Sequence, residues 1–124
     1  MTPTASTLAL LRKRGLHAFV VERWIPQARK RIDVAGIGDI LAWGRSFGIA
    51  LVQCTTASNL SSRIHKFNSL LVEPNSALES WFRSGGRVLF YGWSMRGKRG
   101  ERKLWGVTIH EGLPTGRTTL ALEA

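Results

Sequence analysis

Three polar side chains lie in or beside two short apolar segments, and their spacing could bring them together. Asp39 precedes the segment ILAWG, whereas Gln53 and Thr55 belong to the segment IALVQCTT. The intervening residues 45–48 predict the turn of a β-hairpin. Strand alternation then places Gln53 and Thr55 on one face, and the returning strand brings Gln53 near Asp39. Because a buried amide without partners is costly, Gln53 either forms a hydrogen bond in the core or faces a site.

The acidic residues near this hairpin are few. The chain contains only two aspartates, Asp33 and Asp39, and Glu22 is the only acid before Asp33. Two glycines between the aspartates would let the chain bend and bring them together. Each acid also has a structural alternative. Asp39 could accept backbone N–H groups at a turn, Asp33 could pair with Arg29 or Arg31, and Glu22 could face solvent on its strand.

Charge is the strongest bulk signal. The 124 residues contain 18 Lys and Arg but only 8 Asp and Glu, a formal net charge of +10. Such an excess favours a polyanionic partner, most often nucleic acid. No helix is typical of base readout, so we expect contacts to the backbone and to the shape of the nucleic acid. The basic residues form three clusters: Arg29, Lys30 and Arg31; Arg63 and Lys66; and Arg96, Lys98, Arg99, Arg102 and Lys103.

The order of predicted elements is α-β-β-β-α-α-β-β. The first three strands are joined by short segments and should be antiparallel, and the helical crossover implies a parallel pair. The predicted fold class is therefore α/β (α+β), a mixed β-sheet flanked by helices. We expect one domain over 1–111 and a loosely attached C-terminal tail over 112–124. The predicted helices are Thr4–Arg14, one through Leu60–Leu71 and one near Ser76–Arg83; the strands are His17–Trp24, Asp39–Trp43, Ile49–Thr55, RVLFYGW and LWGVTIHE.

Several classes of protein are disfavoured. No apolar run approaches the ~20 residues that span a bilayer, and the N-terminal basic residues follow the apolar ones, unlike a secretory signal. The single cysteine, Cys54, excludes an internal disulfide, and the three histidines lack zinc spacing. We therefore expect a cytoplasmic domain with no membrane contact. Among the five tryptophans, Trp93 is the best candidate to touch a nucleotide, although core packing is the leading interpretation for all five.

The segments GIGD and ALVQCT, together with the element order, resemble the PD-(D/E)xK nuclease superfamily. The resemblance covers roughly Thr4 to Trp93 and is nearest to the small branch that includes archaeal Holliday-junction resolvases. It implies a restriction-endonuclease-like αβββαβ core. By this resemblance Asp39 occupies the position of the first acid, Gln53 that of the second acid and Thr55 that of the lysine. The superfamily's early glutamate has no counterpart on the first helix.

The resemblance also implies a function. Mg²⁺ (or Mn²⁺) would be held by Asp39, Gln53, the backbone carbonyl of Cys54 and Asp33, and the catalytic set would be Asp39, Gln53, Thr55, Glu22, Asp33 and Lys66. Glu22 would add a carboxylate, and Lys66 or Arg63 would replace the missing lysine. The expected activity is hydrolysis of phosphodiesters in branched or recombination-type DNA by a homodimer, with RNA as an open alternative.

Two other interpretations remain open at this point. The neutral residues Gln53 and Thr55, in place of an acid and a lysine, favour a catalytically inactive nuclease-fold module that binds DNA. The motif match could also be accidental, in a basic domain that binds RNA or protein.

Overall fold

In the computed structural model, which describes residues 1–121, three helices pack on a six-stranded mixed sheet. This confirms the predicted combination of helices with a mixed sheet. None of the helices in the described residues has the length and apolar character needed to cross a bilayer. The helices are α1 (Pro3–Lys13), α2 (Leu60–Leu71) and α3 (Ala77–Arg83); the strands are β1 (His17–Val20), β2 (Arg23–Ile25), β3 (Lys30–Ile32), β4 (Ile40–Gly44), β5 (Gly48–Thr56), β6 (Arg87–Arg96), β7 (Leu104–Gly112) and β8 (Thr118–Ala121).

The strand order of the main sheet is β1-β4-β5-β6-β7-β8. As predicted, β1, β4 and β5 are antiparallel neighbours, and β6 pairs parallel to β5 after the crossover through α2 and α3. These directions place the end of β1, the start of β4 and the ends of β5 and β6 at the same end of the sheet. Because Asp39 immediately precedes β4, we call this the Asp39 end.

The prediction of one strand over His17–Trp24 is wrong. Pairing of β1 with β4 stops at Val20, because the Asp39 carbonyl then accepts the N–H groups of both Val21 and Glu22. The chain leaves the main sheet there and forms β2 and β3, a separate two-stranded hairpin. The basic cluster at residues 29–31 belongs to this hairpin, which therefore projects from the Asp39 end.

The sheet buries a different core on each face. On one face, α1 covers side chains of β4, β5 and β6 such as Val52 and Tyr91. On the other face, α2 and α3 cover Val88 and Phe90, and Phe67 of α2 is fully buried against them. β6 supplies both cores, because its alternate side chains point to opposite faces.

Two hydroxyl groups fasten α1 to the C-terminal half of the chain. The indole N–H of Trp93 donates to Thr7 Oγ1 at 2.9 Å, and the indole N–H of Trp105 donates to Ser6 Oγ at 2.8 Å. The two indole rings stack with their centroids 5.7 Å apart. Trp93 is buried in this arrangement, which agrees with its expected place in the core and removes it from the candidates for nucleic-acid contact.

The structure also corrects the expected loose tail. β7 runs to Gly112, and a turn then returns the chain so that Thr118–Ala121 pair with Ile109–Gly112. Gly116 has a φ of +90° in this turn, a backbone conformation that glycine adopts without strain. The β-branched pair at the start of β8 suits a strand. The sheet therefore extends beyond residue 111, and the last predicted tail residues, 122–124, lie outside the described part of the chain.

Candidate functional site

The Asp39 carboxyl is buried where β4 and β5 meet. Asp39 is only 5% exposed. The Asp39 backbone N–H donates to the Val52 carbonyl at 2.9 Å, which fixes the backbone against β5. Oδ2 accepts two hydrogen bonds, from Gln53 Nε2 at 2.7 Å and from the Cys54 N–H at 2.9 Å. The predicted meeting of Asp39 and Gln53 across the hairpin is confirmed.

Glu22 lies beside Asp39, and its carboxylate raises the pKa of the Asp39 carboxyl through its charge and a side-chain hydrogen bond. The Asp39 backbone carbonyl accepts a hydrogen bond from the Glu22 N–H, which holds the Glu22 backbone at this position. The Glu22 side chain is 16% exposed and its carboxylate is 3.6 Å from the Arg31 guanidinium of β3. The solvent-facing alternative for Glu22 is therefore wrong. Arg31, one of the two partners considered for Asp33, pairs with Glu22.

The environment of Asp39 disfavours its charged form. Burial is the main cause that raises the pKa of the Asp39 carboxyl from 3.8 to about 7, although the hydrogen bond from Cys54 acts in the opposite direction. The neighbouring carboxylates of Glu22 and Asp33 add to the increase. The Asp33 contribution is the smallest of these causes, and the convergence of Asp33 with Asp39 as a second carboxylate stays a prediction. A cation in this site would reverse these effects.

Gln53 has one satisfied and one unsatisfied amide atom. It is only 3% exposed, its Nε2 donates to Asp39, and its Oε1 is buried without a hydrogen-bond partner in the part of the chain that the structure describes. An unpaired buried acceptor costs about 1–3 kcal/mol. The structure therefore confirms the hydrogen-bonded alternative for Gln53 through its Nε2, and it leaves the amide oxygen without a partner within residues 1–121.

The backbone and the side chain of Cys54 point in different directions. Its N–H points to Asp39, and the carbonyl of the same residue points to the same side of an extended strand. The Cys54 side chain lies in the α1 core, where burial raises the pKa of the thiol. The backbone carbonyl of Cys54 therefore lies on the Asp39 side of β5, whereas its thiol lies in the core beneath α1.

The position implied for the lysine is neutral. Thr55 occupies this position; it is buried, and its side chain carries no charge. Among the cations on α2, Lys66 is exposed, whereas Arg63 is half-buried and its Nε is buried with no hydrogen-bond partner within residues 1–121. Arg63 lies two helical turns before Leu70, a side chain that packs 3.1 Å from the Cβ position of Gly36 beside the Asp39 loop. Arg63 therefore shares a face of α2 with Leu70.

All three basic clusters start from the Asp39 end. The first lies in the β2–β3 hairpin, the second begins in the first turn of α2, and the third occupies the end of β6 and the loop to β7. The side chains at positions 29–31, 96, 98 and 99 are exposed. The sequence identified these clusters but gave no reason for them to share one end; the parallel β5–β6 pair supplies it.

The acidic residues do not form a complete metal cage. Within residues 1–121, no three His, Cys, Asp or Glu side chains converge as a group that could hold a metal ion. The oxygen donors of the residues around Asp39 are the Asp39 and Glu22 carboxyl groups, the unpartnered Gln53 Oε1 and the Cys54 carbonyl. Hard cations such as Mg²⁺ prefer oxygen ligands, so the donor set fits such an ion in kind, with fewer charges than an all-acidic site.

Comparisons of the chain with protein-family models, curated proteins and solved structures found no match.

Proposed function

We propose that this domain is a metal-dependent endonuclease that hydrolyses phosphodiester bonds in DNA, with a preference for branched or recombination-type structures. The observation that carries the proposal is the buried Asp39 carboxyl, which has the Glu22 carboxylate as a neighbour and accepts from the Gln53 amide, whose Oε1 has no partner within residues 1–121. A buried carboxyl beside a second carboxylate is unfavourable, as is an orphaned acceptor, and a divalent cation held there would relieve both.

The topology supports the resemblance on which this proposal draws. The order α1-β1-β4-β5-α2-β6, with three antiparallel strands and a parallel fourth, agrees with the αβββαβ order that the resemblance implies. The β2–β3 hairpin, α3, β7 and β8 are additions to it. Asp39 and Gln53 meet on the second and third core strands, where that motif has its acids.

Mg²⁺ or Mn²⁺, when bound, would activate water and offset the charge that develops on the phosphate. Asp39, Glu22 and the Gln53 amide oxygen would hold the ion, with the Cys54 carbonyl as a further ligand. Arg63 and Lys66 would place a positive charge near the scissile phosphate, in the role of the missing lysine. The exposed arginines and lysines of the β2–β3 hairpin and the β6–β7 loop would hold the flanking phosphates.

The cleavage test uses labelled linear duplex and four-way-junction DNA, with Mg²⁺ or Mn²⁺, and EDTA as the metal-free control. Asp39→Asn should abolish cutting, because the amide keeps an acceptor for Gln53 and Cys54 but removes the charge. Glu101→Gln removes an exposed acid in the β6–β7 loop and should cut normally. Metal-dependent cutting that persists in Asp39→Asn would contradict this assignment of the site.

The second candidate is a nuclease-fold module that binds DNA without cutting it. The buried, neutral Thr55 favours this function, because no lysine stands in the strand. Tight, salt-sensitive DNA binding by wild-type protein, with no cleavage in either metal, would select it. A matched RNA series would decide between the two nucleic acids, and sedimentation of the free protein would test the homodimer.

A further inference from the structure

Three aromatic rings form an exposed stack at the β1 edge of the sheet. The Trp43 ring of β4 lies between His17 and Phe19 of β1, with centroid distances of 5.5 and 5.4 Å and interplanar angles of 25° and 23°. Trp43 is 37% exposed and Phe19 is 50% exposed. Nothing in the core requires these rings to face solvent, and such surfaces commonly mark binding sites.

The aromatic stack shares a face of the sheet with the candidate site. His17 is paired with Trp43, and Asp39, Leu41 and Trp43 alternate to one side of the chain. α2 packs against β5 and β6 on this face, and the rings on β1 and β4 remain exposed beside it. Trp43 lies four residues from Asp39, or about 13 Å along the strand. A ligand strand at Asp39 could therefore continue over the rings.

The surroundings of the stack are basic. The Arg12 guanidinium lies 5.8 Å from the centroid of the Phe19 ring. A cavity of about 510 Å³ adjoins the other end of the stack, and its lining includes His17, Trp43 and Arg45 but no acidic residue. Aromatic faces with nearby arginines suit a ligand that combines flat rings with negative charge.

We propose that the His17–Trp43–Phe19 stack binds unpaired bases of a nucleic-acid strand whose backbone runs to the Asp39 end. This inference rests on the proposed function, because it takes nucleic acid to be the ligand, and it specifies a substrate with single-stranded character. Base faces are accessible for stacking only where bases are unpaired, as in a flap, a gap or the centre of a branch.

A second copy of this chain fits the stack less well. Each copy has a net charge of +10, so two such basic surfaces would repel each other. The free edge of β1 is also occupied, because Arg12 Nε and Nη2 both donate to the Ala18 carbonyl, at 3.1 and 2.8 Å. This contact takes up an acceptor that strand pairing between copies would use.

The test compares single-stranded and duplex binding in EDTA, so that cleavage plays no part. Fluorescence anisotropy with labelled oligothymidine should show that Phe19→Leu and Trp43→Leu each raise Kd about tenfold: Phe19→Leu removes an outer ring face of the stack, and Trp43→Leu removes the ring that holds His17 and Phe19 in place. Kd for a blunt duplex should change less than about twofold. Leu120→Ala, which truncates an exposed side chain at the opposite edge of the sheet, is the control. It should leave the Kd values for the single strand and for the duplex unchanged.

Thermal melting of each variant verifies that the fold is intact. The stacking inference is overturned if the two ring variants keep the single-strand affinity of the wild type. It is also overturned if they lose affinity equally for the single strand and for the duplex. A wild-type dimer that the ring variants dissociate without any change in affinity overturns it as well. Metal-dependent cutting with unchanged single-strand Kd contradicts this inference alone, whereas ring-dependent binding without cutting contradicts only the proposed nuclease. Absence of any oligonucleotide binding contradicts both.

Discussion

The Asp39 carboxyl couples the stability of the native state to pH. Its folded pKa, about 7, exceeds the ordinary 3.8, so the native state favours the protonated form. The stabilisation from this neutral carboxyl is complete below about pH 4 and is lost as the pH rises through about 7.

Asp39→Asn should therefore remove a pH dependence. In the absence of divalent metal, we expect the free energy of unfolding of the wild type to fall, relative to that of the variant, between about pH 4 and about pH 8. Urea unfolding followed by tryptophan fluorescence measures this difference. A constant difference across that range would show that Asp39 titrates as an ordinary surface acid.

Gln53 offers the complementary change. Gln53→Glu adds a carboxylate beside Asp39 and Glu22, so the metal-free variant should be less stable than wild type above about pH 7. With Mn²⁺ present the order should reverse, and the affinity for the ion should rise about tenfold or more because the ligand charge increases. Gln27→Glu makes the same change at an exposed turn and is the control. Calorimetric titration with Mn²⁺ measures the affinity, and an equal response of the two variants would contradict a metal site at Gln53.

At the scale of elements, the loop before β4 fixes the position of Asp39. A Cβ at Gly38 would lie 2.7 Å from Leu51 Cδ2 and 3.3 Å from Leu51 Cβ, on the strand opposite. Gly38→Ala should therefore lower the free energy of unfolding by about 1–3 kcal/mol.

The same substitution in a Leu51→Ala background separates this contact from other effects. Removal of the Leu51 methyl groups frees the space, so Gly38→Ala should lower the free energy of unfolding less in the Leu51→Ala background than in the wild type. Chemical denaturation of the four proteins gives the coupling. Equal losses in both backgrounds would show that the cost at Gly38 comes from its backbone and not from Leu51.

The elements differ in how far the sequence could predict them. The hairpin of β4 and β5 follows from alternation and a short turn, and it correctly brought Gln53 to Asp39. The β2–β3 hairpin did not follow, because HAFVVERW reads as one apolar strand. Its break depends on the Asp39 carbonyl, a tertiary contact 18 residues away from Val21. The exposure of Phe19 and Trp43 depends likewise on where α2 packs, which helical periodicity does not specify.

At the scale of the whole molecule, the parallel β5–β6 pair collects the basic clusters at one end. Lys98→Ala combined with Arg99→Ala should therefore reduce the slope of log K against log salt for duplex DNA by about two, one for each lost phosphate contact. Arg117→Ala, in the β7–β8 turn at the other end of the sheet, should leave the slope unchanged. Anisotropy titrations over a range of salt concentrations give the slopes, and an equal change in both variants would argue against a directed binding surface.

The hydroxyl contacts of α1 have a consequence for the time course of synthesis. Thr7 and Ser6 are paired with Trp93 and Trp105, partners 86 and 99 residues further along the chain. α1 is synthesised before both tryptophans, so the indole partners of Ser6 and Thr7 are absent until β6 and β7 have followed. Contacts this distant in sequence form late, because the chain entropy of a long loop must first be lost. A chain halted before β7 therefore lacks the Trp105–Ser6 hydrogen bond and the Trp93–Trp105 stack, which complete the docking of α1.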